Sequence, residues 1–279
     1  MYNVVGIGEG AKNLIESFEQ YKEYKTYHLG EDVLGDFSSM ADYESNFSVT
    51  AVKKVLKGIN ENSEVLYIVE GGGDITGVSL RILDILKKAS VTILYIVPDR
   101  SALNEQEREN EDLTFRAFQD IVRSGALKQI ILIDLERVET FLGDIPLENY
   151  DKVLAHNIVN TFAMLNYFDH IDPVKTTKKK LPVAVRISTL GLLNAEEEEF
   201  MFYDLKHTKD KEYCYGVTDK EMKKSSLLRE VRNKIKSASK ETRCYYSIYL
   251  IDSEENQKYI RAHTDICQVR NEKIDGTGA

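Results

Sequence analysis

Cysteine is nearly absent from this chain: Cys214, Cys244 and Cys267 are the three in 279 residues, too few and too scattered for a disulfide scaffold or a zinc cluster. No run of 18 apolar residues occurs, so no membrane span is expected, and the sequence enters a strand-like run at once, without the pattern of a signal peptide. A cytoplasmic protein is the simplest expectation. Positive charge is also in deficit. With 37 Lys and Arg against 46 Asp and Glu, the formal net charge of -9 argues against a general nucleic-acid binder, because phosphate contact needs a local basic stripe. The five histidines, His28, His156, His170, His207 and His263, are dispersed and predict no metal site. No serine or cysteine stands in a nucleophile context such as Gly-x-Ser-x-Gly.

What is present is an ordinary globular composition, 42% apolar and 30% charged, at a length that buries one large or two modest cores. Two glycine clusters stand out within it, Gly6-Ile7-Gly8-Glu9-Gly10 and Gly71-Gly72-Gly73-Asp74-Ile75-Thr76-Gly77. Each lies between an apolar run that reads as a strand and a stretch with helical periodicity. Glycines let the backbone turn tightly and approach an anion, while the helix that follows offers free N–H groups and its positive dipole end. Two such turns in one domain predict a nucleotide site. The first cluster alone is a weak signal, since Ala11 stands where a dinucleotide fingerprint requires its third glycine.

Strands are predicted over 2–7, 65–69, 91–97 and 129–133, with helices over 12–24, 50–59, 78–88 and 111–124. This alternation predicts an α/β fold with a Rossmann-like, mostly parallel sheet, and ligands bind such sheets beyond the carboxyl ends of the strands. A long helix over about 147–168 places Val153, Leu154, Ile158, Phe162 and Leu165 on one face. Beyond Lys180 the pattern changes to strands over 181–189, 198–205, 213–217 and 243–251 around one helix over 226–237. The chain is therefore read as a nucleotide-binding domain over 1–148, a central helix with an acidic loop over 149–172, a small α+β domain over 173–269 and a polar, frayed tail over 270–279.

The segment from Gly71 to Gly77 resembles the signature loop of the tubulin/FtsZ family, Gly-Gly-Gly-Thr-Gly-Ser/Thr-Gly, which wraps the phosphates of GTP. Five of seven positions match, Asp74 and Ile75 replacing a threonine and a glycine. Asp74 brings a carboxylate toward the phosphate oxygens, which is repulsive unless a cation intervenes. Gly6, Gly8, Gly10 and Asn13, with Glu9 among them, resemble the family's first loop, and the stretch 104–110, with Glu105 and Arg108, resembles its ribose-contacting segment. Asn149 and Asp151 are the nearest equivalents of its guanine-reading pair. The loop 166–173 resembles the acidic loop that in this family reaches the next subunit's nucleotide, which would make Asp169 and Asp172 the catalytic pair, ordering water and Mg2+.

The resemblance implies GTP or GDP with Mg2+ as ligands, a head-to-tail homo-oligomer or filament, and GTP hydrolysis that depends on polymerisation. Its compact size and divergence resemble filament proteins encoded by phages or plasmids. A nucleotide-binding scaffold that has lost turnover is the alternative, favoured by Asp74, Ile75 and the small second domain. The basic run Lys175, Lys178, Lys179 and Lys180 reads as a solvated linker, with an acidic neighbour subunit, a nucleic acid or an adaptor as the partners it could meet otherwise.

Overall fold

The computed structural model describes residues 2–194, 197–239 and 242–269; the segment 270–279, read as a frayed tail, lies outside the described residues. The elements run β1 (Tyr2–Ile7), α1 (Lys12–Phe18), β2 (Tyr24–Leu29), α2 (Glu31–Leu34), α3 (Met40–Asn46), α4 (Val49–Val55), β3 (Glu64–Glu70), α5 (Ser79–Leu86), β4 (Ser90–Val97), α6 (Glu105–Arg123), β5 (Gln129–Asp134), α7 (Leu135–Leu142) and α8 (Tyr150–Asp169). The second half contains β6 (Lys175–Thr176), β7 (Ile187–Leu193), β8 (Glu199–Met201), β9 (Asp210–Val217), α9 (Asp219–Met222), α10 (Leu227–Ala238), β10 (Arg243–Leu250) and β11 (Gln257–Thr264).

Among the described residues these strands form one mixed sheet in the order β2-β1-β3-β4-β5-β7-β11-β9-β10-β6, with β8 paired to β7. The first five are parallel, and β7 joins β5 in parallel through Ile130↔Ile187 and Ile131↔Ser188 alone. β11 then runs antiparallel to both β7 and β9. Hydrogen bonding therefore continues from one half of the chain into the other.

The sheet is buried on both faces, which is why β1, β3, β4 and β5 read as unbroken apolar runs. On one face Val5, Tyr67, Val69 and Tyr95 pack with α3 to α6 through Tyr43, Val52, Ile82 and Phe115. On the other, Val4, Leu66, Ile68 and Leu94 pack with α1, α7 and α8 through Leu14, Val138, Ile158 and Phe162. Phe168 near the end of α8 stacks on Tyr249 of β10 at 4.4 Å and 5°. Each such fully buried side chain stabilises the fold by roughly 1.5–3 kcal/mol. A third cluster seals α10 onto β9, β10 and β11 through Val231, Tyr213, Ile248 and Ile260. No helix among the described residues is long and apolar enough to cross a membrane.

Several elements depart from their sequence patterns. The helix expected over 12–24 stops at Phe18, and Tyr24–Leu29 forms β2, an edge strand that buries only Tyr27 and Leu29 and so carries little apolar signal. α6 begins at Glu105 because Asn104 and Glu107 form a reciprocal capping box, which satisfies the helix's free N–H groups six residues before the predicted start. The strand expected over 198–205 contracts to Glu199–Met201. β11 goes unpredicted because Lys258, Arg261 and His263 break its apolar pattern, yet it lies inside the sheet.

Candidate functional site

Because β1 and β3 are parallel neighbours, with Gly6 opposite Ile68, the two glycine turns leave the same edge of the sheet side by side. Gly8 and Gly72 adopt positive φ angles, 71° and 97°, that other residues take only with strain. Part of the polar backbone there is already engaged. Gly8 donates its N–H to Leu29 O at 3.1 Å, and its own carbonyl accepts from His28 Nε2 at 2.9 Å. Gly71 donates to Ile96 O at 3.0 Å, and Thr76 returns both its N–H and its hydroxyl to Gly73 O. Thr76 is buried, so its hydroxyl serves the turn itself. The amides of Gly72 and Gly73 have no acceptor among the described residues. They are two of the donors this loop can offer an anion.

Asn110, buried on α6, fastens the second loop by donating to Gly72 O at 3.2 Å and to Asp74 Oδ1 at 2.9 Å. That bond fixes the Asp74 carboxylate on the α6 side of the turn. Ile75 lies between the loops: its Cγ2 would be 2.9 Å from a Cβ on Gly8 and 3.8 Å from one on Gly73. Gly73 is otherwise open, whereas a Cβ on Gly77 would collide with the Met40 backbone and one on Gly6 with Ala11 and Ile15. Gly6 and Gly77 are thus packing positions. A Cβ on Gly10 would occupy the place of the Glu70 carboxyl group.

Glu70, the last residue of β3, received no role from the sequence. Burial, and then the charge of Asp151, push its carboxyl up to about 7. Its signal was an acid closing an otherwise apolar strand run directly before Gly71. Asp151, exposed like Asn149 at the start of α8, is near enough to Glu70 for its charge to act there. Asn13 is half-buried on α1, and Glu9 is exposed and pairs with Lys12 at 3.2 Å. Glu105 is exposed in the first turn of α6, while Arg108 donates from Nε to Arg100 O at 3.2 Å.

Asp169 and Asp172 lie at the other end of α8, whose 20 residues span about 30 Å. Asp169 is held within its own chain. Arg261 approaches it at 2.7 Å and Lys178 at 3.1 Å, and Lys178 also meets Glu212 at 2.8 Å. These two cations hold the Asp169 carboxyl well below the usual carboxylate range, against the opposing effect of burial. Asp172 is exposed. The basic run is not a free linker throughout, since Lys175–Thr176 pairs with β10 and Lys178 joins this network; Lys179 and Lys180 are exposed.

Replacing Asp169 by Asn is expected to lower stability at neutral pH by about 1–3 kcal/mol, less than for a fully buried pair because the carboxylate retains 37% exposure. The wild-type advantage should fade as the pH falls through the acid range, where the depressed carboxyl finally takes its proton. Denaturant midpoints at pH 7 and below pH 4 measure both. An unchanged midpoint at pH 7 would mean that this carboxylate is free to serve another site.

No family model matches the chain, and no curated protein does. Solved structures do. An empty FtsZ dimer from M. jannaschii superposes with a TM-score of 0.68 at 11% identity, over 98% of this chain and 95% of that one. CetZ2 from Haloferax volcanii, solved as a GTPγS-bound protofilament, gives 0.69 at 12% identity over 94% and 92% of the two chains. TubZ from Bacillus thuringiensis serovar israelensis, solved as GDP-form protofilaments, gives 0.68 at 14% identity over 94% and 86%. At these identities the likeness is one of architecture, and the mixed sheet, flanking helices and long α8 have the tubulin/FtsZ-like fold.

Proposed function

We propose that this chain binds GTP or GDP, with Mg2+, across its two glycine loops and stacks head to tail into filaments that hydrolyse GTP at the contact between copies. The observation that carries this reading is the pair of side-by-side turns with two unengaged amides, Gly72 and Gly73, at the carboxyl edge of a parallel sheet. It gains support from a fold shared with proteins solved as nucleotide-bound protofilaments.

In this reading the Gly72 and Gly73 amides take phosphate oxygens, with Gly8, Glu9 and Gly10 facing them from the first loop. Asn149 and Asp151 read the guanine edge, an amide and a carboxylate matching its carbonyl and amino groups. Glu105 and Arg108 lie toward the ribose. Among the described residues no group of three or more His, Cys, Asp and Glu side chains forms that could hold a metal ion; in this reading Mg2+ enters with the phosphates, near Asp74. Asp172 acts on the neighbouring copy, because α8 separates it from its own loops by about 30 Å, while Asp169 in the same loop is held by Arg261 and Lys178. The division into a nucleotide domain, central helix and smaller second domain, and a cytoplasmic location, belong to the same proposal.

Turnover per molecule is expected to rise with protein concentration, together with light scattering. Asp172→Asn should slow phosphate release by tenfold or more, on the order expected for a lost acid–base group, with GDP affinity unchanged. Specific activity that stays constant across a wide dilution series would overturn hydrolysis between copies. A second reading is a nucleotide-binding scaffold without turnover. It is favoured by the bulk of Ile75 and the carboxyl group of Glu70 between the loops, and it predicts binding with no phosphate release at any concentration.

A further inference from the structure

The helices α4 and α5 lie on the same face of the sheet, and their apolar residues reach the core without closing against each other. Between them is a cavity of about 490 Å³, within the range of ligand clefts. Leu56 and Leu86 are buried at its base, and Val49, Ile59 and Ile85 are half-buried along it. One wall runs from Val49 to Leu56 and the other from Arg81 to Lys88, stretches that each span about 10 Å at the helical rise of about 1.5 Å per residue. The groove is thus about two helical turns long.

Its rim is cationic. Lys53, Lys57, Arg81, Lys87 and Lys88 line it and are exposed, against one acid, Asp84, which pairs with Lys87 at 2.7 Å. The hydrogen bond and charge of Lys87, then the charges of Arg81 and Lys53, hold the Asp84 carboxyl below its ordinary value, so cations from both walls lie near the same carboxylate. With Asp84 and Lys87 set against each other, four positive charges remain. None of Lys53, Lys57, Arg81 and Lys88 has a salt-bridge partner among the described residues. A lysine near a helix C-terminus offsets the helix dipole, which accounts for Lys53 taken singly. It does not account for Arg81 in the first turn of α5, where the dipole favours an acid, nor for the open apolar floor.

We infer that this groove docks an acidic amphipathic helix of another protein. A helix seated in a groove anchors through apolar side chains at i, i+3 or i+4, and i+7, which also spans about 10 Å. Acids flanking that face would meet Lys53 and Lys57 on one wall and Arg81 and Lys88 on the other, which fixes the orientation of the helix and speeds its capture. Other occupants use less of the groove. A fatty acid or another single-headed anion would leave most of the four charges unmatched, a flat membrane surface does not enter a concave cavity, and duplex phosphates have no use for an apolar floor. The described helices of this chain turn their own apolar faces to the core, so a second copy does not supply the occupant.

The test is fluorescence anisotropy on the full chain with a labelled peptide of about 18 residues, long enough to hold a helix, whose Leu and Ile share one face and whose Glu flank it. Two control peptides have the same length: one carries Lys in place of Glu, and the other is scrambled so that its apolar residues no longer share a face. The Glu peptide is expected to bind at least about tenfold more tightly than either control. Lys53→Glu, Lys57→Glu and Arg81→Glu together should weaken it by at least about tenfold and let the Lys peptide bind instead. Ile85→Gln should weaken the Glu peptide without changing any charge; where that variant melts early, Gln at the apolar positions of the peptide tests the floor in its place. Circular dichroism checks that each variant is folded. Equal binding of the Glu and scrambled peptides, or binding that the triple variant retains, overturns the inference. Co-sedimentation of wild type, but not of the triple variant, with phosphatidylglycerol vesicles while no peptide is preferred overturns it in favour of a membrane contact. Self-association that the triple variant loses, again with no peptide preferred, overturns it in favour of a contact between copies. Nucleotide is absent from every arm, so the outcome is independent of the proposed function.

Discussion

Replacing Gly73 by valine is expected to abolish nucleotide binding while leaving the fold intact. Gly73 has φ -66° and ψ 148°, an extended conformation open to any residue, and the nearest side-chain atom to a new Cβ is Ile75 Cγ2 at 3.8 Å. A valine there costs the protein little, so the melting temperature should move by no more than about 2 °C. Its branched side chain would, however, crowd the Gly72 and Gly73 amides, two donors that the fold leaves unengaged. Two hydrogen bonds to a charged group are each worth about 1.5–3 kcal/mol. Losing both should weaken GTP and GDP by at least about a hundredfold, measurable by calorimetric titration in Mg2+. Gly77→Val is the contrasting variant: its side chain meets the Met40 backbone, and it should lower stability by about 3 kcal/mol. Unchanged affinity in the Gly73 variant would place the phosphates away from the second loop.

Glu70 should make nucleotide affinity depend on pH near neutrality. Its carboxyl group packs against Gly10, and burial raises it to about 7, so the group is largely protonated at pH 6 and charged at pH 8. A charged carboxylate beside phosphate is repulsive, by several kcal/mol at an effective dielectric constant of about 20. Affinity for GDP is therefore expected to fall by tenfold or more between pH 6 and 8, and Glu70→Gln should remove that dependence. Stability shifts in the same window. The folded form keeps its proton above the ordinary carboxylate range, so the contribution of this group is complete below about pH 4.5 and is lost as the pH rises through 7. At about 1.4 kcal/mol per unit, the loss is on the order of 3 kcal/mol by pH 8. Glu70→Gln should raise the denaturant midpoint at pH 8 and leave it nearly unchanged at pH 5. A midpoint difference independent of pH would mean that the carboxyl group is solvated and titrates normally.

Local sequence alone was enough for the features that depend on neighbours along the chain. The strand runs over 65–69 and 91–97 are apolar on both faces because the sheet is covered on both, and α8 shows its apolar face because one side of it lies on the core. The glycine clusters likewise reveal where the backbone must turn sharply, at Gly8 and Gly72. Whether a glycine is open or packed depends on residues brought from elsewhere. Gly73 is open, while Gly10 makes room for Glu70 and Gly77 for the Met40 backbone, contacts that span 60 and 37 positions and leave no periodic trace. The same holds for charge. β11 reads poorly as a strand because Arg261 is costly to bury, and it becomes an interior strand only because α8 contributes Asp169 and β9 contributes Glu212 beside it. That pairing also ties up within its own chain an acid that its loop sequence suggested for a neighbour's nucleotide. Spacing can propose which residues are chemically able to act; long-range packing decides which of them are left unpaired to do so.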